Sequence, residues 1–164
     1  MNEIEVKILN IDGEKIRRIL KVMGAKKKFS GTIVAHFFRG SNGKKIRLRR
    51  MGDKFFITGK ERIKSEGMMH NQEHEVEISD FATMANILWV AGLEKYGDSI
   101  KTRESYTFND ITFDIDEYPG IPEYVEVEAG THEKVEEWVK LLGFTMENTA
   151  CITEAQLREK YKIK

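Results

Sequence analysis

Like-charged side chains stand two positions apart along nearly every strand-like segment of this sequence, and this spacing constrains the fold more than any other feature. Successive side chains of a strand point to opposite faces, so each like-charged pair shares one face and the intervening apolar residues share the other. The pattern therefore predicts strands with one charged face and one apolar face. The pairs are Glu3/Glu5, Arg47/Arg49, Glu75/Glu77, Lys101/Arg103, Asp114/Asp116 and Glu126/Glu128.

Two arrangements of such strands are open. The charged faces are either the solvated side of an ordinary antiparallel sheet or the inside of a sheet that closes into a barrel. A solvated face normally mixes Thr, Ser, Lys and Gln, whereas here charges of one sign recur in pairs at roughly 6.5–7 Å. This regularity favours a barrel with a charged interior.

A charged interior needs counter-ions, because the lower effective dielectric strengthens the repulsion within each pair. The predicted lining holds eight carboxylates, from the acidic pairs, and six basic groups, from the basic pairs together with Lys7 and Lys60. Divalent cations are natural partners for carboxylate oxygens, and Arg and Lys bind phosphate oxygens. The composition of the lining therefore indicates a metal-chelated polyphosphate, held by side chains because the sequence has no glycine-rich phosphate loop.

Three segments share one plan, in which a strand carrying Glu-x-Glu is followed by a helix cap, an amphipathic helix and a glycine. The predicted caps are Asp12, Ser79 or Asp80, and Thr131, and the glycines are Gly24, Gly92 and Gly143. The sequence further predicts strands at 45–49, 54–58, 101–108 and 111–116, a short helix at 153–161, and a mobile surface loop at 59–71 that contains Met68, Met69 and His70.

Composition narrows the class of protein. The length of 164 residues predicts a single domain over 1–164, and 27 basic and 27 acidic residues cancel, which argues against DNA as a partner. No apolar run is long enough to span a bilayer, so no membrane association is expected. The strand-like start without an apolar leader leads us to expect a cytoplasmic protein, and the lone Cys151 has no second thiol to pair with.

Six motifs, in order, resemble those of the CYTH proteins, also called triphosphate tunnel metalloenzymes. The Glu-x-Glu-x-Lys strand is matched by residues 3–7, and the helix end Leu-x-x-x-Gly-Ala by residues 20–25. Residues 46–49 resemble the Leu-Arg-x-Arg strand, 58–60 the next lysine strand, 101–103 the Lys-x-Arg strand, and 113–128 the closing acidic hairpin. The resemblance covers nearly the whole chain, and it implies an α+β fold: an eight-stranded antiparallel β-barrel, or tunnel, with helices outside.

The resemblance also implies a reaction and its residues. Mg²⁺ or Mn²⁺ would be held by Glu3, Glu5, Glu75, Glu77, Asp116, Glu126 and Glu128, with the choice between Asp114 and Asp116 open. Phosphates would be bound by Lys7, Arg47, Arg49, Lys60, Lys101 and Arg103, of which Lys7, Arg49 and Lys60 are the expected catalytic groups. The substrate would be tripolyphosphate, thiamine triphosphate or ATP.

Three functions stay open at this point: a triphosphatase, a class IV adenylyl cyclase that forms cyclic AMP and pyrophosphate, and a polyphosphate-binding module without turnover. Cyclase-like features near the end of the chain are missing, which favours hydrolysis. An Arg-x-Glu-x-Glu pattern is common in the family before the second helix, but here the first of these positions is Glu73. The oligomeric state is open as well, with a homodimer among the alternatives.

Overall fold

Eight antiparallel strands close into a barrel. The computed structural model describes residues 2–63 and 67–163. The sheet order is β5-β4-β3-β2-β6-β7-β8-β1, and pairing of β5 with β1 closes it, as expected for a tunnel. A two-residue strand, β9 (Thr149–Ala150), adds to β1 outside this circle. The strands are β1 (Asn2–Ile8), β2 (Lys26–Arg39), β3 (Lys45–Met51), β4 (Lys54–Ile63), β5 (Met69–Ile78), β6 (Glu94–Phe108), β7 (Ile111–Tyr118) and β8 (Ile121–Ala129).

Apolar side chains on the outer face of the strands form the main core. Ile4, Val6, Phe113 and Val127 alternate with charged residues along their strands, and they pack beneath the first and third helices. Val6, Phe113 and Val127 are completely buried. Because one face of each strand is used in this way, the alternate charged residues are directed into the barrel.

Among the described residues, four α-helices lie outside the barrel: α1 (Gly13–Met23), α2 (Phe81–Val90), α3 (His132–Leu141) and α4 (Glu154–Lys160). The caps are those that the sequence predicts, since Asp12, Asp80 and Thr131 each accept a hydrogen bond from the backbone N–H three residues later. Gly24 ends α1 in the left-handed region at φ 81°, where a side chain would be strained. In the part of the chain that is described, no helix is both long and apolar enough to cross a membrane.

Helix α4 packs against one end of the barrel. Its Leu157 is completely buried against Tyr118 and Tyr124, whose rings are stacked with 6.3 Å between their centroids. The Lys101 ammonium lies 5.5 Å from the centroid of the Tyr118 ring. The charged interior is therefore bounded by an aromatic pair at this end, with α4 behind it.

The predicted surface loop at 59–71 is wrong over most of its length. Residues 59–63 continue β4, residues 69–71 begin β5, and Met68 and Met69 are buried rather than on the surface. Residues 64–66 lie outside the described part of the chain. The Lys- and Glu-rich composition was misleading because Lys60 and Glu73 are direct cross-strand partners, so Lys60 belongs to a strand and pairs with the buried Glu73.

The α1 cap offers a small test of this local structure. We expect Asp12→Ala to lower the free energy of unfolding by about 1 kcal/mol, because the Lys15 N–H would lose its acceptor at 3.0 Å. Urea denaturation measures the change. Asp12→Asn, which keeps an acceptor oxygen, should lose much less, and equal losses for the two variants would contradict the capping role.

Candidate active site

The strand register places the predicted site residues on one common face, the inside of the barrel. Glu5 pairs with Glu128, Lys7 with Glu126, and Glu126 in turn with Asp114. On the opposite half, Arg47 pairs with Thr58 and Thr58 with Glu75. Paired residues of an antiparallel sheet project to the same side, so acidic and basic groups face a shared interior.

Arg103 is the centre of the most tightly bound group. Its Nε lies 2.6 Å from Asp116 Oδ1, its Nη2 lies 2.6 Å from Glu126 Oε2, and its Nη1 also binds Asp114. Asp116 further accepts from Lys101 Nζ at 2.6 Å and from the Tyr124 hydroxyl at 3.2 Å. Asp116 is thus completely buried with both oxygens bonded, whereas Asp114 Oδ1 is buried without a hydrogen-bond partner.

Lys7 connects two of the predicted metal ligands. Its Nζ lies 2.9 Å from Glu126 Oε1 and 3.3 Å from Glu5 Oε1, and the residue is buried. Burial by itself would lower the pKa of Lys7, but Glu126 and Glu5 outweigh it, and the net effect raises the pKa. Lys7 therefore stays protonated beside these two carboxylates.

Four carboxylates form a group that we call the acidic cluster: Glu3, Glu5, Asp114 and Glu128. Burial, followed by the charges of Glu3 and Glu5, raises the pKa of Glu128 to about 8. Within residues 2–63 and 67–163, no base lies within ion-pairing distance of Glu128. This side of the interior thus carries more negative charge than its own bases compensate.

The opposite side carries Arg47, Arg49 and Lys60, which we call the basic wall. Arg49 Nη2 lies 2.9 Å from the Glu75 carboxylate, and Arg47 Nη2 lies 3.7 Å from it. Burial and the neighbouring Arg47 lower the pKa of both Arg49 and Lys60. The Nε atoms of Arg47 and Arg49 are buried without acceptors, so this wall has unused donors suited to an anion.

Not every predicted metal ligand lies near the acidic cluster. Glu75 is bonded by Arg49 and by the Thr58 hydroxyl, at 2.9 and 2.5 Å. Glu77 lies near the exposed end of β5, where its side chain is 53% exposed and 2.9 Å from Lys54. Both side chains therefore act as counter-ions of nearby bases in this structure.

Sequence reasoning missed Glu73 as a member of the site. Glu73 projects into the barrel opposite Lys60, forms an ion pair with it, and is buried. Its spacing of two residues from Glu75 was available as a signal, but the assignment of residues 59–71 to a loop kept Lys60 and the start of β5 apart.

The chain belongs to the CYTH family, whose CYTH domain model matches residues 1–163. A candidate adenylate cyclase of Methanocaldococcus jannaschii is 30% identical over 156 residues, which are 90% of this chain and 87% of the relative. The solved structure of the PH1012 protein from Pyrococcus horikoshii OT3 has a TM-score of 0.82 at 23% identity, covering 94% of this chain and 98% of that one. A candidate adenylyl cyclase from Hippeastrum, described as revealing a dominant triphosphatase activity, has a TM-score of 0.58 at 19% identity, covering 96% and 95%.

The raised pKa of Glu128 predicts a pH-dependent stability. Because the folded protein binds this proton more tightly than an ordinary carboxyl with a pKa of 4.5, Glu128 increasingly destabilises the fold as pH rises from about 4.5 to about 8. At roughly 1.4 kcal/mol for each pKa unit, the effect is on the order of a few kcal/mol. In EDTA, Glu128→Gln should raise the melting temperature at pH 9 and change it little at pH 5. Equal effects at both pH values would contradict this assignment.

Proposed function

We propose that the barrel interior binds a triphosphate together with a divalent cation and hydrolyses the triphosphate. The observation that carries this proposal is the presence of two unmet charge requirements, one acidic and one basic, within one interior. The acidic cluster needs positive charge, as the pKa of Glu128 indicates, and the basic wall retains buried guanidinium donors without acceptors. A metal-chelated polyphosphate supplies both charges in one ligand.

The donor chemistry fits Mg²⁺ or Mn²⁺. Glu3, Glu5, Glu126 and Glu128 offer the hard oxygen ligands that these ions prefer, and the unpaired Oδ1 makes Asp114 a better candidate than the saturated Asp116. Across the described ranges 2–63 and 67–163, no three His, Cys, Asp or Glu side chains converge closely enough to hold an ion as they stand. Cation binding would therefore have to draw these carboxylates together.

The residues of the chain would divide the work as follows. Arg47 and Arg49 bind the phosphate oxygens and align the triphosphate, while Lys60 lies beyond them on the same wall, paired with Glu73. Arg103 and Lys101 hold the carboxylates of Asp116 and Glu126 in place. Lys7 keeps the carboxylates of Glu5 and Glu126 oriented. A bound cation supplies charge neutralisation on the phosphates and lowers the pKa of the attacking water.

An adenylyl cyclase is the second candidate, and the relative from M. jannaschii supports it by its name. The description of the Hippeastrum protein as dominantly a triphosphatase, despite its cyclase name, supports hydrolysis instead. In a cyclase the ribose 3′-hydroxyl of ATP attacks the α-phosphate, and pyrophosphate leaves. In a triphosphatase water attacks the terminal phosphate, and orthophosphate leaves.

Product identification separates the candidates. The protein should be incubated with tripolyphosphate, thiamine triphosphate and ATP in Mg²⁺ and in Mn²⁺, and the products resolved by ³¹P NMR and chromatography. Orthophosphate with a diphosphate product supports the proposal, whereas cyclic AMP with pyrophosphate would replace it by the cyclase. Tight binding of all three compounds without turnover would identify a binding module.

A further inference from the structure

Strand β5 presents three carboxylates in a row to the interior, and each opposes a base. The exposed fraction of the side chain falls inward from 53% at Glu77 to 28% at Glu75 and 8% at Glu73. Their partners are Lys54, Arg49 and Lys60, in the same order. The basic wall is therefore partly neutralised by the chain itself before any ligand binds.

The pair with the most buried carboxylate, Lys60–Glu73, differs from the other two. Lys60 pairs directly with Glu73 across the sheet, and its Nζ also lies 3.5 Å from Glu3 of the acidic cluster. Arg47 lies 3.9 Å from Glu73 and thus separates this pair from Arg49. For an anion bound along Arg49 and Arg47, Lys60 is the next base on the wall. Its ammonium group, however, is already paired with the carboxylates of Glu73 and Glu3.

We propose that Glu73 positions Lys60 and thereby limits the number of phosphates that the interior accepts. Because Lys60 is held by the carboxylates of Glu73 and Glu3, the anion is bound through Arg47 and Arg49 without a full contribution from Lys60. A longer phosphate chain therefore gains no additional affinity from Lys60. The inference rests on the proposed function, since it concerns selectivity among polyphosphates at the same site.

Removal of the Glu73 charge should release Lys60 for a further phosphate. Gln has the shape of Glu without its charge, so Glu73→Gln keeps the packing while it weakens the hold on Lys60. A unit charge a few ångströms away, at an effective dielectric near 20, is sufficient for an affinity change of about tenfold. If a tripolyphosphate lies along Arg49 and Arg47, only a fourth phosphate extends to Lys60, so the gain should apply to tetrapolyphosphate and much less to tripolyphosphate.

The test is calorimetric binding of tripolyphosphate and tetrapolyphosphate in EDTA, together with kcat and KM for both compounds in Mg²⁺. The variants are E73Q, K60M and the double variant. E61Q is the matched control, because Glu61 adjoins Lys60 in sequence but is exposed and binds Lys44. We expect E73Q to raise the tetrapolyphosphate-to-tripolyphosphate affinity ratio about tenfold, mainly through KM, whereas E61Q leaves it unchanged. In the K60M background the E73Q effect should disappear.

The other outcomes overturn the inference. An E73Q gain that is equal for both compounds, or that persists without Lys60, would show that Glu73 does not act through Lys60. Loss of Mg²⁺-dependent turnover with unchanged binding in EDTA would make Glu73 a metal ligand instead. If the wild-type protein binds neither compound, with or without Mg²⁺, the proposed function fails together with this inference. Should E73Q not fold, Glu73→Asp, with a shorter reach to Lys60, should shift the ratio in the same direction by less.

Discussion

Replacing Arg103 with methionine is expected to lower the free energy of unfolding by about 3–5 kcal/mol, the usual cost of removing one partner from a buried ion network. Arg103 is the shared cation of three carboxylates, those of Asp114, Asp116 and Glu126. Without it, three buried negative charges would face one another with only lysines nearby. Urea denaturation at pH 8 in EDTA measures the loss.

Arg17 provides a matched control for Arg103. It also binds three carboxylates, those of Glu14, Glu104 and Glu123, but on the outer surface, where its side chain is 25% exposed. Water can replace the guanidinium there, so we expect Arg17→Met to cost clearly less than Arg103→Met. Equal losses would contradict the view that the Arg103 group is a desolvated network inside the barrel.

The second large expected effect is a loss of catalytic turnover when Glu5 is replaced. Glu5→Gln should reduce metal-dependent turnover about 100-fold or more, a loss at the upper end of that seen when even an outer-shell metal partner is changed. Glu5 is buried, binds Lys7 at 3.3 Å, and belongs to the acidic cluster that we propose to hold the cation. The measurement is the rate of phosphate release as a function of Mg²⁺ concentration.

The Glu5→Gln variant should lose activity but keep its thermal stability. Glu5 is one of the charges that raise the pKa of Glu128, so its neutralisation relieves repulsion and should not lower the melting temperature in EDTA. Glu136→Gln, at an exposed position on α3, should behave as wild type in both respects. An unchanged rate for Glu5→Gln would remove Glu5 from the metal site.

The fold was largely readable from the sequence because the charged alternation has a period of two. Glu3, Glu5 and Lys7 can share one face only in a strand, and Ile4 and Val6 then form an apolar outer face that needs helices to cover it. The caps Asp12 and Thr131 were equally visible, since capping depends on local backbone geometry. The Glu5–Glu128 and Lys7–Glu126 pairings come from the position of β1 beside β8, which spacing alone does not give.

Other features depend on three-dimensional contacts that spacing does not contain. Asp114 and Asp116 look equivalent in the sequence, but only the structure distinguishes the saturated Asp116 from Asp114 with its unpaired oxygen. Glu77 has the spacing of a ligand, yet it lies at the exposed end of β5 beside Lys54. Glu73 was noted only as a departure from the family pattern, because spacing does not show that its cross-strand partner is Lys60.

The central claim is that the interior needs a divalent cation and a triphosphate together, and one measurement tests it most directly. Phosphate release from tripolyphosphate should be followed with Mg²⁺, with Mn²⁺ and with EDTA. We expect release of orthophosphate with either ion and none in EDTA. The absence of release with both ions, repeated with thiamine triphosphate and nucleoside triphosphates, would contradict the proposed function.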